Sequence, residues 1–388
     1  MSRQQTGYIW RLGNSWFGRW REDVLKDGKI VRKQRCKRLA DYCDRYKTER
    51  DVRPLLEEIL RPLNQGRADV RSSVTLASFV ADFYLPYTRE NLKPSTHHGY
   101  TKLWQDSLAP RIGEVRLRDF RTVDAAKLLN ALTAKGWGRR SLQHAKSLLS
   151  GIFTYAKNLG VLDGVNPVRD ALVPRKAAAP AETHATTPEE VLVMLKALSE
   201  AADLDSRQRI QAKAAIGLMY FAGLRPGEAR GIRWEDYNGQ KLHIVRSVWR
   251  THATTPKTEA AAKPVPVIEP LRELLAELRK VESNPTSGPI LRGVLGRPLD
   301  LDMLAKRIVV PVLTKAKISW HEWYALRRGI GTLTATLAKD ANAAKGLLRH
   351  TSLATTLGHY VKIVPEVTER AMQQVEQLFP TDGDRPSQ

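Results

Sequence analysis

Three patterns of apolar and polar positions succeed one another along the chain. Residues 7 to 39 read as strands. The segments "GYIWRL", "SWFGRWRED" and "KIVRKQRCKRL" are bounded by the turn signals "GN" and "KDGK". "DVRPLLEEILRPLN", residues 51 to 64, predicts a helix that closes this module. After the polar link "NQGRADVRSS" the period becomes helical. "LASFVADFYLPYTREN", "KPSTHHGYTKLWQDSLAPRIG", "TVDAAKLLNALTAKG" and "GRRSLQHAKSLLSGIFTYAKNLGVL" make about four helices. "RKAAAPAETHATT", residues 175 to 187, is Pro/Ala-rich and predicts a linker. Beyond it Thr187 and Glu190 have capping-box spacing at a helix start. "RQRIQAKAAIGLMYFAGL" predicts a long helix ending at Gly223. "KLHIVRSVWR" and "KPVPVIE" predict two strands joined by "THATTPKTEAAA", and the remainder reads as helical. The expected fold class is multidomain α+β. A small β-rich domain spans 1–66 and an all-α domain spans 74–174. The linker is 175–187, and a mostly α domain with a small β-sheet spans 188–388.

Charge changes this picture more than length does. The 388 residues carry a formal net charge of +22, with a pI of about 10.1. Such an excess asks for an anionic partner, and nucleic acid is the usual one. An anionic membrane surface competes with it. The chain shows no run of eighteen apolar residues, and "MSRQQTGYIWRLGNSW" has no apolar signal core. A soluble, intracellular protein without a membrane partner is expected. Cys36 and Cys43 form no CxxC and precede the first histidine, His97, so they are expected as buried or partly buried thiols rather than zinc ligands.

Two basic segments are candidates for DNA contact. Arg32, Lys33, Arg35 and Lys37 crowd the third predicted strand, and a small sheet can lay a face in a groove. The competing reading is a sheet with Trp10, Trp16 and Trp20 as core and its cations solvated. Arg139, Arg140 and Lys146 lie on the fourth helical segment of the second domain.

Four stretches of the third domain bear on chemistry. In "AGLRPGEARGIRWEDY", Arg225 follows a helix end, with Glu228 one turn on. The two make either a structural ion pair or a guanidinium held by Glu228 and aimed at a phosphate. Lys257 falls between the two predicted strands, as a solvated turn lysine or as a proton donor to a leaving oxygen. In "WHEWYALRRGIGT", His321, Tyr324 and Arg327 occupy successive turns of a predicted helix. His350 opens "RHTSLATTLGHY" and Tyr360 closes it, as a core ring or as a nucleophile. Separately, the structural reading of each is the commoner one. Together they suit phosphodiester chemistry. Only about a thousandth of a phenol with a pKa near 10 is ionised at neutral pH. Guanidinium groups favour the phenolate and stabilise the extra charge on a five-coordinate phosphorus. No dense carboxylate cluster is present to clamp magnesium, so neither metal nor cofactor is expected.

At these residues the chain resembles the tyrosine recombinase, or phage integrase, family. "AGLRPGEARGIRWEDY" is similar to that family's first arginine box and "PKTEAAAKPVPV" to its hairpin lysine motif. "YALRRGIGT" falls where the family has a His-x-x-Arg box. "LLRHTSLATTLGHY" resembles the last box, in which a histidine precedes the nucleophilic tyrosine by this interval. The resemblance covers about the last half of the chain. It implies that the helical domain is a core-binding domain and, more weakly, that the N-terminal sheet binds arm-type DNA. Tyr360 would attack the scissile phosphate and form a 3′-phosphotyrosine. Arg225 and Arg327 would hold the non-bridging oxygens, Lys257 would protonate the 5′-oxygen, His350 would donate to the phosphate, and Glu228 would orient the cations.

The resemblance further implies a site-specific integrase of a mobile element, acting as a homotetramer on double-stranded DNA, with a monomer in solution left open. It would work in the cytoplasm, at the nucleoid of a prokaryotic host. An accessory directionality or DNA-bending protein is left open. The amphipathic tail "EVTERAMQQVEQLF" packs on its own domain or docks on a neighbouring subunit. One position departs from the family: Tyr324 stands where its usual histidine would be. Either Tyr324 fills the role sterically and by hydrogen bonding, or His321 swings in, or the enzyme is slow or inactive. Two other functions remain open: a topoisomerase-like relaxing activity, and a degenerate recombinase that only binds DNA.

Overall fold

The computed structural model describes residues 5–26, 29–64, 70–179, 182–255, 262–354 and 356. Lys257, Tyr360 and the tail segment therefore lie outside the described residues. The chain divides into two compact units, residues 1–181 and 182–388. The division falls inside the expected linker, and His184 to Thr187 belong to the second unit.

The first unit opens with three antiparallel strands, β1 (Tyr8–Leu12), β2 (Ser15–Lys26) and β3 (Lys29–Asp41), in the order β1-β2-β3. The helix Glu49–Asn64 covers one face. Its residues Val52, Leu56 and Leu60 are four apart, so they form one stripe, and they are buried with Ile9, Trp16 and Trp20. Trp10 is partly buried, its ring stacked on Phe17. Glu22 on β2 is also buried. It accepts from Arg35 Nε at 3.3 Å and from Arg118, which lies in the helical part of the same unit. Burial works to raise the Glu22 carboxyl, and the Arg118 and Arg35 guanidiniums together hold it below its ordinary value.

The basic residues of β3 do not share one face. Alternation places Arg32 opposite Lys33, Arg35 and Lys37. Arg32 lies 3.9 Å from Asp23, while Arg35 is occupied by Glu22. Lys33 and Lys37 are exposed. Both cysteines are exposed free thiols, contrary to expectation. Cys36 lies on edge strand β3, paired across to Arg19, and Cys43 follows the strand's end, so neither side chain enters the core.

A second hydrophobic core in this unit is helical. Leu76–Phe79 and Leu85–Asn91 flank a π-helical turn at Val80–Tyr84, and Thr122–Ala134 and Arg139–Asn158 complete the packing. Arg139 and Arg140 are exposed, whereas Lys146 donates to the Arg169 carbonyl at 3.0 Å.

The second unit is built round the helix Ser206–Tyr220, which is buried at nearly every position from Ile210 onward. Pro188–Glu200, Glu269–Val281 and Glu322–Ala338 surround it. The expected two strands pair only over two residues each, and the rest of the first forms a separate hairpin. Lys241–Leu242 pairs with Val265–Pro266, whereas Ser247–Trp249 turns back on His252–Thr254. The turn of that hairpin is at Arg250, whose φ is 50°, so it closes before Lys257 is reached. Among the described residues no helix is long and apolar enough to cross a membrane.

Candidate active site

Gly223 ends the Ser206–Tyr220 helical segment with φ at 57°, a left-handed turn that a side chain would strain. A Cβ there would also meet Leu348 at 3.2 Å. The turn leads into Arg225 and the short helix Pro226–Gly231, with proline at its start as the sequence predicts. Glu228 reaches back one turn. Its Oε2 accepts from the Arg225 backbone N–H at 2.9 Å, and its Oε1 accepts from Arg225 Nη1 at 2.7 Å.

A third donor reaches the same carboxylate. Arg349 Nη2 donates to Glu228 Oε2 at 2.6 Å, with the two side chains 1% and 4% exposed. Arg349 ends the helix Ala341–Leu348 in a left-handed conformation, φ 53°. That reversal carries Arg349 and His350 inward together. Burial works to raise the Glu228 carboxyl, but Arg349, Arg225 and Arg327 outweigh it and hold the group below the ordinary carboxylate range. Arg225 keeps 31% of its side chain exposed, so the partly open guanidinium is backed by a buried anion.

Arg327 lies on the Glu322–Ala338 helix and is fully buried. It donates through Nη1 to the Gly223 carbonyl and through Nη2 to the Leu348 carbonyl at 2.5 Å. Nη2 also lies 3.1 Å from His350 Nε2. Arginine has no acceptor, so His350 Nε2 accepts this bond and the imidazole proton sits on Nδ1. Nδ1 then donates to Thr356 Oγ1 at 2.9 Å. Burial first, and then the positive Arg327, Arg225 and Arg349, push His350 down to about 4, so it is neutral near pH 7.

Arg225, Glu228, Arg327 and His350 are thus brought together from three segments. Tyr324 lies on the first turn of the Arg327 helix and is 41% exposed. His321 does not swing into this cluster. As the residue capping that helix it stacks on His184, ring centroids 4.0 Å apart. Arg349 and Thr356 were not singled out by the sequence. Arg349 stands next to His350 in a quoted box, but nothing in "LLRHTS" marks an arginine for burial.

A Tyrosine recombinase XerC-like protein of Caldanaerobacter subterraneus subsp. tengcongensis is 21% identical over 386 residues, covering 91% of this chain and 94% of its own length. A Tyrosine recombinase XerC of Methylobacterium sp. is 28% identical over 311 residues, covering 75% and 89%. Over most of its length the chain is similar to tyrosine recombinases. No family model matches it. The fold is shared with solved integrase structures at low identity. The Tn1549 transposon integrase, solved with transposon right end DNA, superposes with a TM-score of 0.61 at 17% identity, over 78% of this chain and 99% of its own. A lambda integrase tetramer bound to a Holliday junction gives 0.56 at 18% identity, over 93% and 96%.

Proposed function

We propose that this recombinase is a site-specific integrase that cuts and rejoins DNA through a 3′-phosphotyrosine on Tyr360. The observation that carries the proposal is the assembly of Arg225, Glu228, Arg327, Arg349 and His350, in which the partly open Arg225 and two buried arginines surround the carboxylate of Glu228 beside a neutral imidazole. Such a cluster stabilises a phosphate whose negative charge grows during reaction. Double-stranded DNA is the substrate, in keeping with the DNA-bound integrases that share the fold.

In the proposed reaction the Tyr360 oxygen attacks phosphorus and loses its proton to solvent. The bond from phosphorus to the 5′-oxygen breaks, and Lys257 gives that oxygen its proton. Attack by the 5′-hydroxyl of a second strand reverses the step and frees Tyr360. The covalent link conserves the energy of the broken bond, so no ATP enters. Arg225 binds one non-bridging oxygen while Glu228 holds its fork. Arg327 and His350 bind the other by exchanging their mutual hydrogen bond for the phosphate. An arriving anion raises the affinity of His350 for a proton, which lets it donate rather than accept.

A mobile element as the source of the DNA sites, and a homotetramer as the working assembly, belong to the same proposal. Covalent trapping on DNA, wild type against Tyr360→Phe, tests it. A second reading, a recombinase that binds DNA without cutting it, is favoured by one observation: Tyr324, a weak base, stands at the position of the family's histidine.

A further inference from the structure

We propose that His184, Glu190 and His321 form a binding site for one divalent transition-metal ion of the zinc class, which fastens the segment entering the catalytic unit onto the helix that carries Arg327. One ligand atom from each of the three side chains lies within 4.8 Å of the other two. His184 Nε2 and Glu190 Oε2 are 2.8 Å apart, and the His184 and His321 rings stack with centroids 4.0 Å apart. Tetrahedral zinc holds its ligand atoms ~3.3 Å apart, so binding draws the three atoms together and opens the imidazole stack. Two imidazoles and one carboxylate suit zinc, cobalt or nickel better than calcium or magnesium.

The three ligands are each held in place by the fold. His184 precedes the Pro188–Glu200 helix. Its carbonyl accepts from Arg328 Nε at 2.6 Å, and the nearby Thr186 N–H donates to the Ala325 carbonyl at 3.1 Å. Gly329 permits this approach, because a Cβ there would stand 1.9 Å from the Thr186 oxygen. Glu190 is oriented by its helix cap, accepting from the Thr187 N–H at 2.7 Å through Oε2. His321 is placed before its helix by Glu322, which takes the left-handed region at φ 65° without being glycine. Such an outlier in a non-glycine residue is a cost that the surroundings must hold in place. Glu189 and Glu322 adjoin two of the ligands in sequence, while the Arg328 guanidinium, held on the His184 carbonyl, is the cation beside them.

Neutral imidazoles are the ligating form. His184 would bind through Nε2 with its remaining proton on Nδ1. The ion is structural here. It touches neither Arg225 nor His350 in the proposal, and phosphoryl transfer does not pass through it.

The test uses untagged full-length protein, stripped with a chelator that is then removed, and titrated with Co²⁺ and with Zn²⁺. Visible absorption reads the cobalt site and calorimetry reads zinc. The wild type is expected to bind one ion per chain and to melt at a higher temperature with zinc. His321→Ala and Glu190→Gln, the latter keeping a capping side chain, are expected to fold by circular dichroism and to lose about tenfold or more in affinity. Wild-type binding no tighter than in these two variants, or no binding at all, overturns the site and leaves a hydrogen-bonded clamp only. No DNA enters the measurement, so its outcome is independent of the integrase reading.

Discussion

Arg349 and Glu228 meet at 2.6 Å, although they are 121 residues apart in sequence, and neither is more than 4% exposed. The pair joins the short helix after Arg225 to the end of the helix before His350. A buried charge left without its partner is costly. Glu228→Leu is therefore expected to destabilise the protein by about 3–5 kcal/mol, because Arg349 remains buried. Adding Arg349→Met should restore part of that loss. Denaturant unfolding of the two single variants and the double variant measures the coupling; strictly additive losses would contradict the pair as described.

His350 gives the site a stability that depends on pH. Its folded value is about 4, against an ordinary 6.5. Between those values the unfolded chain binds a proton and the folded chain does not. Stability present above pH 6.5 thus falls as the pH falls, by about 3 kcal/mol by the bottom of the window. Glu228, held below its ordinary value, adds a loss that begins as the pH falls into the normal carboxylate range, where the unfolded chain takes up its proton first. Urea unfolding at pH 7 and at pH 4.5 should show a smaller drop for His350→Gln than for wild type.

Gly329 lies under the Thr186 carbonyl with no room for a methyl group. Gly329→Ala must push residues 184–187 off the Glu322–Ala338 helix. A loss of about 1–3 kcal/mol is expected, as for other overpacked contacts. Faster limited proteolysis in the segment just before Thr187 would report the release directly. An unchanged melting temperature and unchanged cleavage would show that the contact is dispensable.

Tyr324 is exposed on the first turn of the helix that carries Arg327. A phenol in the place of an imidazole is a poorer proton acceptor near neutral pH. Tyr324→His is expected to speed formation of the covalent protein–DNA complex, by up to about 10²-fold. Tyr324→Phe should slow it. Single-turnover kinetics on one DNA substrate decide the order of the three proteins.

Local chemistry made part of this site legible in the sequence. Pro226 and Gly223 mark the junction that carries Arg225, and the Thr187–Glu190 capping box appears as its spacing foretells. Alternation of side chains along β3 was legible too, but not which cation Glu22 would take, since that depends on Arg118 from a distant segment. The pairing of the two expected strands is found at Lys241–Leu242 and Val265–Pro266, but the extra hairpin was not foreseen, because a left-handed Arg250 turns the chain early and a β-branched run does not reveal that. Arg349 was invisible for a related reason. Burial of an arginine is decided by its partner, and its partner lies in another box. His184 and His321 are single histidines in sequence and become a pair only when the 182–187 segment packs on its helix.

The most direct measurement is covalent trapping on nicked suicide DNA bearing the element-end site, or flanking DNA where that site is unknown. Wild type and Tyr360→Phe are incubated with it and run on a denaturing gel. The reaction is made with chelator present, at a temperature below the melting point of the metal-stripped protein. A shifted protein–DNA band in wild type that is missing in Tyr360→Phe is the predicted result. Specific binding of the same DNA with no covalent band, or a band that persists in Tyr360→Phe, would contradict Tyr360 as the nucleophile.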